Sequence, residues 1–424
     1  MRLELHNIGP IENINITLNK INVLIGPQSS GKSTIAKILS FCLWMEKDTV
    51  RNQSIDQINN EYIQEHLIAF YKLGSYFSEG SSIVFEGEVL EFSYESKSKV
   101  KVKTKEEFSN RKMGKVAYIP AERNVVSLSN IETLKMPGNY VSAFIFDWLT
   151  IHKKYSSISP VQFPSLHVEY YYDETKGDTL KLANEKEINL DVASSGLQAV
   201  VPLYTFVRYV THWIYEHIED QSFEDKDKVM GTFTDSLISD LKKSKDFRKI
   251  NEETYKQFLS EILGNVLAHG GDHGLISKFK DLLDKITRPH YTSLIIEEPE
   301  LNLFPETQVD LLYSILSSIN AGRDKLLITT HSPYILYALN NVLMANKVKD
   351  EMDAESFNRL ACSKVSLDSS AVSVWQVEDG HIIGRSGDNS TIQDEKGMVR
   401  KNFFDDSMKH IMSDFNNMVM YLDD

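Results

Sequence analysis

The chain has 424 residues, 42% of them hydrophobic and 25% charged, and a formal net charge of −14. The length suits one large α/β domain with insertions, or two domains, and the composition is that of a soluble globular protein. The acidic balance argues against a protein that coats nucleic acid with its whole surface. Two cysteines, Cys42 and Cys362, form no metal-ligand or disulfide spacing, which suits a reducing cytosol. Met1 leads straight into a strand-like run, and the longest apolar stretch, Ala199 to Tyr215, is interrupted by Arg208 and His212. Neither a secretory segment nor a membrane span is expected, so the sequence reads as cytoplasmic.

The first residues alternate as strands with a turn at Gly9-Pro10, and the fully apolar run Ile21 to Ile25 leads into Gly26-Pro27-Gln28-Ser29-Ser30-Gly31-Lys32-Ser33-Thr34. Helix-compatible sequence follows, Ile35 to Trp44. Strand, glycine-bounded turn and helix are the context a P-loop requires. Backbone N–H groups of the turn and the helix N-terminus converge on phosphate, Lys32 reaches the β- and γ-phosphates, and the Ser33 hydroxyl is placed on Mg²⁺. The expected cofactors are ATP and Mg²⁺. A helix is expected over Ile55 to Leu73 and antiparallel strands over Ser82 to Lys103. Within and beyond these, Lys97, Lys99, Lys101, Lys103 and Lys105 alternate with smaller residues. On a strand that period puts five ammonium groups on one face, read either as a protected sheet edge or as a surface that contacts nucleic acid.

Val116 to Pro120 reads as a short buried strand and Val141 to Tyr155 as a helix. A hairpin is expected from His167 to Leu190 around Gly177 and Asp178, then a long helix from Ser194-Ser195-Gly196-Leu197-Gln198 to about His217. Gln221 to Ile286 reads as helical, with a second basic cluster at Lys242-Lys243-Ser244-Lys245, Arg248 and Lys249 taken as a solvated helix face. Leu294-Ile295-Ile296-Glu297-Glu298 is an apolar strand ending in two carboxylates. At the C-terminal end of a buried parallel strand, Glu297 can hold Mg²⁺ directly or through water while Glu298 polarises the attacking water. Helix, strand and helix follow over Thr307 to Val348, and the strand Leu326 to Thr329 leads into His331, a candidate γ-phosphate contact. The chain closes with a hairpin over Val372 to Ile383 and a helix near Phe403 to Tyr421.

The order P-loop, Ser-Ser-Gly-Leu-Gln, Ile-Ile-Glu-Glu-Pro-Glu, Thr-Thr-His-Ser-Pro resembles the ABC-type ATPases, within the AAA family, of the structural-maintenance-of-chromosomes, RecF and OLD group. Tyr118 to Arg123 and Glu297 to Pro305 are most like the branch found in bacterial anti-phage defence systems. The resemblance implies that Ser195, Gly196 and Gln198 form a signature motif meeting the γ-phosphate held by a second subunit. It implies that Glu298 is the catalytic glutamate, that His331 is the switch histidine, and that Leu301 to Leu303 lie in a loop at the dimer interface. Three positions depart from the pattern: Leu197 replaces the second signature glycine, Glu297 the usual aspartate, and Ala121 the glutamine of the loop where Glu122 is the candidate substitute. No acidic constellation resembling a TOPRIM nuclease follows His331.

The expected fold is therefore α/β, a P-loop NTPase of ABC-ATPase type. It would have a mostly parallel central sheet, an antiparallel β-subdomain and helical insertions. The expected organisation is an N-terminal lobe over residues 1–135, a hairpin and signature segment over 136–220, a helical insertion over 221–290 and a C-terminal lobe over 291–424. The expected function is ATP hydrolysis by a homodimer, or a higher oligomer of dimers, that senses or regulates a separate effector such as a nuclease or toxin in anti-phage defence. The alternative is a RecF-like DNA-maintenance ATPase.

Overall fold

In the computed structural model the described residues are 1–217, 277 and 281–421, except 97, 107, 283, 366, 386–389, 400, 401 and 420. The helical reading of Gln221 to Ile286, its basic cluster and Lys97 thus lie wholly or largely outside the described residues. Strands β1 (Arg2–Ile8), β2 (Ile11–Thr17) and β3 (Ile21–Ile25) open the chain, and the P-loop leads into helix α1 (Lys32–Asn52). Strands β4 (Phe77–Glu86), β5 (Leu90–Glu95), β6 (Lys101–Thr104) and β7 (Lys115–Ile119) follow, then helix α2 (Tyr140–Ile151). Four short strands, β8 (Val161–Phe163), β9 (Val168–Asp173), β10 (Gly177–Lys181) and β11 (Glu187–Asn189), precede α3 (Ser195–Arg208). Strand β12 (Thr292–Glu297), helix α4 (Pro305–Ser318), strand β13 (Lys325–Thr330) and helix α5 (Pro333–Val348) form the later alternation. The hairpin β14 (Val372–Glu378) and β15 (His381–Ile382) and helix α6 (Phe403–Val419) complete it.

Eleven strands form one sheet in the order β6-β5-β4-β1-β2-β15-β14-β3-β13-β12-β7. From β14 to β7 all neighbours are parallel. The antiparallel strands β6 to β2 are hydrogen-bonded into the same sheet, joined to it where His381 of β15 meets Asn13 of β2. The sheet thereby draws strands from both ends of the chain. The expected hairpin over 167–190 is part of a separate four-stranded antiparallel sheet, β11-β10-β9-β8. Its outer strands are only three residues long, too short to stand out as strand periodicity.

Side-chain alternation explains why the parallel strands are apolar throughout. Leu294 and Ile296 enter one core with Ile328 and the apolar faces of α2 to α5, while Ile295 and Leu327 enter the other with α1 and the antiparallel strands. A strand covered on both sides reads as an unbroken apolar run. Each fully buried aliphatic side chain contributes roughly 1.5–3 kcal/mol, which fixes register because a one-residue slip exchanges the two faces.

The helix expected over Ile55 to Leu73 is shorter: Asn60–Ile63 is α-helical, capped by Asn59, and Gln64–Ala69 continues as a π-helix. The lysine stripe is also revised. Only Lys101 and Lys103 lie on β6, the sheet's edge strand, with Lys103 opposite Glu91. Lys99 precedes the strand, and Lys105 turns its Nζ to the Gly87 carbonyl at 2.7 Å. Two exposed lysines on an edge strand discourage further strand pairing, which is the edge reading of the motif.

Candidate nucleotide site

Register assembles the site. Ile25 pairs with Thr330, Thr329 with Glu297, and Ile296 with Ile119, so β3, β13, β12 and β7 end together. The segments just beyond, Gly26 onward, His331, Glu298 and Pro120, therefore share one sheet edge, the carboxyl edge where parallel sheets bind ligands.

Two P-loop glycines are dictated by space and backbone. Gly26 has φ 148°, and a Cβ there would sit 2.0 Å from the Val377 carbonyl oxygen of β14. Gly31, with φ 107°, packs on Ile11, whose Cγ1 lies 2.8 Å from an added Cβ. Gln28 and Ser29 are exposed while Ser30, Lys32 and Thr34 are buried. Gly31 caps α1 without a side-chain bond and the first turn carries no acidic residue, so its N–H groups and dipole stay available to an anion. Lys32 lies back along the loop, its Nζ donating to the carbonyls of Gly26 at 2.9 Å and Pro27 at 2.7 Å and to Ser30 Oγ at 3.2 Å. Burial lowers its pKa to about 8, opposed by the nearby charges of Glu298 and Glu300.

Glu297 is 3% exposed at the end of β12. Burial raises its pKa, opposed by Lys37, by the Ser33 hydroxyl and by Tyr118. Its Oε1 is buried without a hydrogen-bond partner among the described residues. An orphaned carboxylate oxygen beside a P-loop serine suits Mg²⁺, which takes few protein ligands and shares the rest of its shell with phosphate and water. Ser33 and Glu297 are the residues that would hold the ion, and bound there it would draw charge from the phosphate oxygens.

Glu298 adopts φ 42°, rare for a residue with a Cβ, and its N–H donates to the Thr329 carbonyl at 2.9 Å. Its side chain lies against His331, with 3.4 Å between Nε2 and Oε1. That histidine contact lowers the Glu298 pKa, with Lys32 and Arg123 adding to it against burial. The carboxylate is thus ionised at neutral pH and can accept a proton from water. His331 is held in turn by its backbone N–H, which donates to Glu300 Oε1 at 2.6 Å. Ser332 caps α5 and donates through Oγ to Gln308 at 2.5 Å.

Sequence reasoning missed the residues that hold this edge together. Arg123 is 1% exposed and donates to four carbonyls: Glu297 and Glu298 at 2.8 Å, Ala199 at 3.2 Å and Pro120 at 3.3 Å. Glu300 and Gln308 likewise act by positioning. Position alone gives no signal for such contacts; the Tyr118-to-Arg123 phrase singled out the segment without giving the arginine a role. Glu122 is exposed and accepts from the Tyr140 hydroxyl at 2.8 Å.

The signature residues are spread differently. Ser194 caps α3 and Ser195 is its first residue, both exposed, and α3 packs on Ala121–Ser127, α2 and α4. Gly196 is tight against the Asn302 carbonyl, 2.9 Å from an added Cβ, so the signature turn and the Leu301-to-Leu303 loop are in contact. Gln198 points inward, its Nε2 donating to the carbonyls of Leu190 at 3.2 Å and Asp191 at 2.8 Å. In this conformation it braces its own loop.

The family model of an AAA ATPase domain matches residues 275–336, the stretch carrying Glu297, Glu298 and His331. The chain is an ATP hydrolase. Among solved structures it is similar to the SMC head domain from Thermotoga maritima, at 10% identity over 80% of this chain and 90% of that one, with a TM-score of 0.32. It is also similar to the Smc head with an extended coiled coil bound to the C-terminal domain of ScpA from Pyrococcus furiosus, at 10% identity over 90% and 94%, TM-score 0.34. A further similar structure is the recombination mediator protein RecF of the RecFOR pathway, at 12% identity over 90% and 96%, TM-score 0.29. No curated protein sequence matches the chain.

Replacing Glu298 by Gln leaves the phosphate cradle intact but removes the proton acceptor. Nucleotide retention should stay parental while turnover falls by about 10²- to 10⁴-fold, and parental turnover would exclude Glu298 as the base. A second expectation follows from Lys32. Bound phosphates favour the protonated amine, so above about pH 8 binding must take up a proton. ADP affinity measured by calorimetry should fall as pH rises through that value, by up to about tenfold per unit, and Lys32→Met should bind weakly with no such slope. A parental pH profile in Lys32→Met would contradict it.

Proposed function

We propose that the protein is an ABC-type ATPase that dimerises around ATP and Mg²⁺ and regulates a separate effector in anti-phage defence. The observation that carries the dimer is the exposed N-terminus of α3: Ser194, whose Oγ caps the Leu197 N–H, and Ser195 are both exposed, while the P-loop already has its own helix N-terminus and lysine. A second exposed helix N-terminus is explained if it completes the site of a partner copy. Contact of Gly196 with Asn302, and the 70% exposure of Phe304 beside it, support the same surface as the dimer face. The defence role rests on the sequence phrases Tyr118 to Arg123 and Glu297 to Pro305, and the effector is a nuclease or toxin encoded alongside.

In such a dimer each site needs a P-loop from one chain and a signature from the other. Lys32→Ala and Ser195→Arg should each abolish turnover alone. A mixed dimer of the two leaves one site wholly intact and should recover up to roughly half the parental activity if the sites act independently. Ser195→Arg protein that hydrolyses ATP normally by itself would overturn the composite site. For the defence role, cells carrying the gene with its neighbours should lower phage plating efficiency, and Glu298→Gln should change it. Equal plating with and without the locus across a broad phage panel would count against that role.

A further inference from the structure

Behind the nucleotide site lies a second cavity of about 290 Å³ that the hydrolysis chemistry does not use. It is enclosed by the middle of α1, the Gln64–Ala69 turn, β7 and α2. Its α1 residues, Ser40 to Lys47, lie roughly 12–22 Å along the helix axis from Lys32. None of the P-loop residues Gly26 to Thr34 and neither Glu298 nor His331 lines it.

Its walls are aromatic. Tyr71 and Tyr140 lie nearly parallel with centroids 6.0 Å apart, Tyr118 stands edge-on to both at 5.7 Å, and Trp44 and Phe70 complete the lining. Lys37 and Lys72 lie over the Tyr140 ring, and the ring edges turned to the cavity favour edge-to-face contact with a planar ring. Two lysines, Lys47 and Lys115, stand among the polar groups of the lining, with Ser40, His66 and the single carboxylate Asp147. Lys47 is partly exposed and, among the described residues, has no ion pair or hydrogen bond, with Asp147 and Asp48 as its acidic neighbours; Lys115 is 3.5 Å from Asp147, whose side chain is half exposed. Burial lowers the Lys47 pKa to about 8, which leaves it charged at neutral pH. A partly desolvated ammonium beside a second lysine favours an anion between them. The Tyr118 hydroxyl, also buried and without a hydrogen-bond partner by geometry, lies toward Glu297, so this wall is shared with the nucleotide site.

We propose that this cavity is a binding site for a small planar aromatic molecule carrying one anionic group, packed among the aromatic side chains of Trp44, Phe70 and Tyr71 and neutralised by Lys47 and Lys115. A concave pocket of aromatic side chains interleaved with convergent polar groups is a form that small-molecule sites take. The volume is that of a two-ring compound with its charged substituent, smaller than a nucleoside triphosphate.

The test is calorimetric titration of the full-length protein, saturated with ADP and Mg²⁺, with naphthalene-2-carboxylate and its neutral counterpart naphthalene-2-carboxamide. The acid should bind saturably with one site per chain, and the amide at least about tenfold more weakly, because only the acid pairs with the lysine. Lys47→Gln should remove that discrimination, and Asp147→Asn, which deletes an exposed like charge, should tighten binding of the acid. Failure of the acid to saturate, equal binding of acid and amide, or unchanged acid affinity in both variants would overturn the proposal. So would one-for-one displacement of ADP by the acid, which would make the cavity part of the nucleotide site.

Discussion

One buried guanidinium ties together the segments on which the chemistry depends. Arg123 leaves the end of β7 and donates to the backbone at the end of β12, at Glu297 and Glu298, and to helix α3 at Ala199. Each of these bonds to a charged donor is worth roughly 1.5–3 kcal/mol, so losing the guanidinium loosens all of these segments at once. The charge itself is compensated from one side: Glu300, Glu298 and Glu297 favour it against burial, which lowers its pKa to about 10. A fork of donors in a plane reaches several carbonyls at once, which a lysine cannot do.

Around that hub three glutamates within four residues meet different fates. Burial pushes Glu297 and Glu300 up, whereas the His331 contact draws Glu298 down. Environments that separate the pKa values of neighbouring carboxylates also separate their roles. Glu298 is the ionised acceptor, Glu300 secures the histidine backbone, and Glu297 offers an unpaired oxygen beside Ser33.

Local chemistry was legible in the sequence wherever it repeats over short spacing. The P-loop, the apolar strands and the two-carboxylate strand end all satisfy constraints set by adjacent residues, and each stands where expected. What could not be read depends on distant packing. Arg123 and Glu297 are 174 positions apart, and no periodicity announces that pairing. Gln198 has a signature-like position, but its amide is taken by the carbonyls of Leu190 and Asp191. The lysine alternation was true strand periodicity for only four residues, after which Lys105 folds onto Gly87. The π-helical turn over Gln64–Ala69, with His66 packed against Tyr62 and Trp44, has likewise no signal in the local periodicity.

In the proposed reaction, aligned strand ends held by Arg123 place Glu298 for catalysis independently of nucleotide binding. Arg123→Lys tests it most directly, because the charge remains while the four-carbonyl bridge is lost. Single-turnover hydrolysis and ADP affinity should be measured on the folded variant. The account predicts near-parental ADP affinity with hydrolysis slowed by about 10²-fold or more, as expected when a catalytic group moves by about an ångström. Parental hydrolysis in a folded Arg123→Lys protein would contradict it.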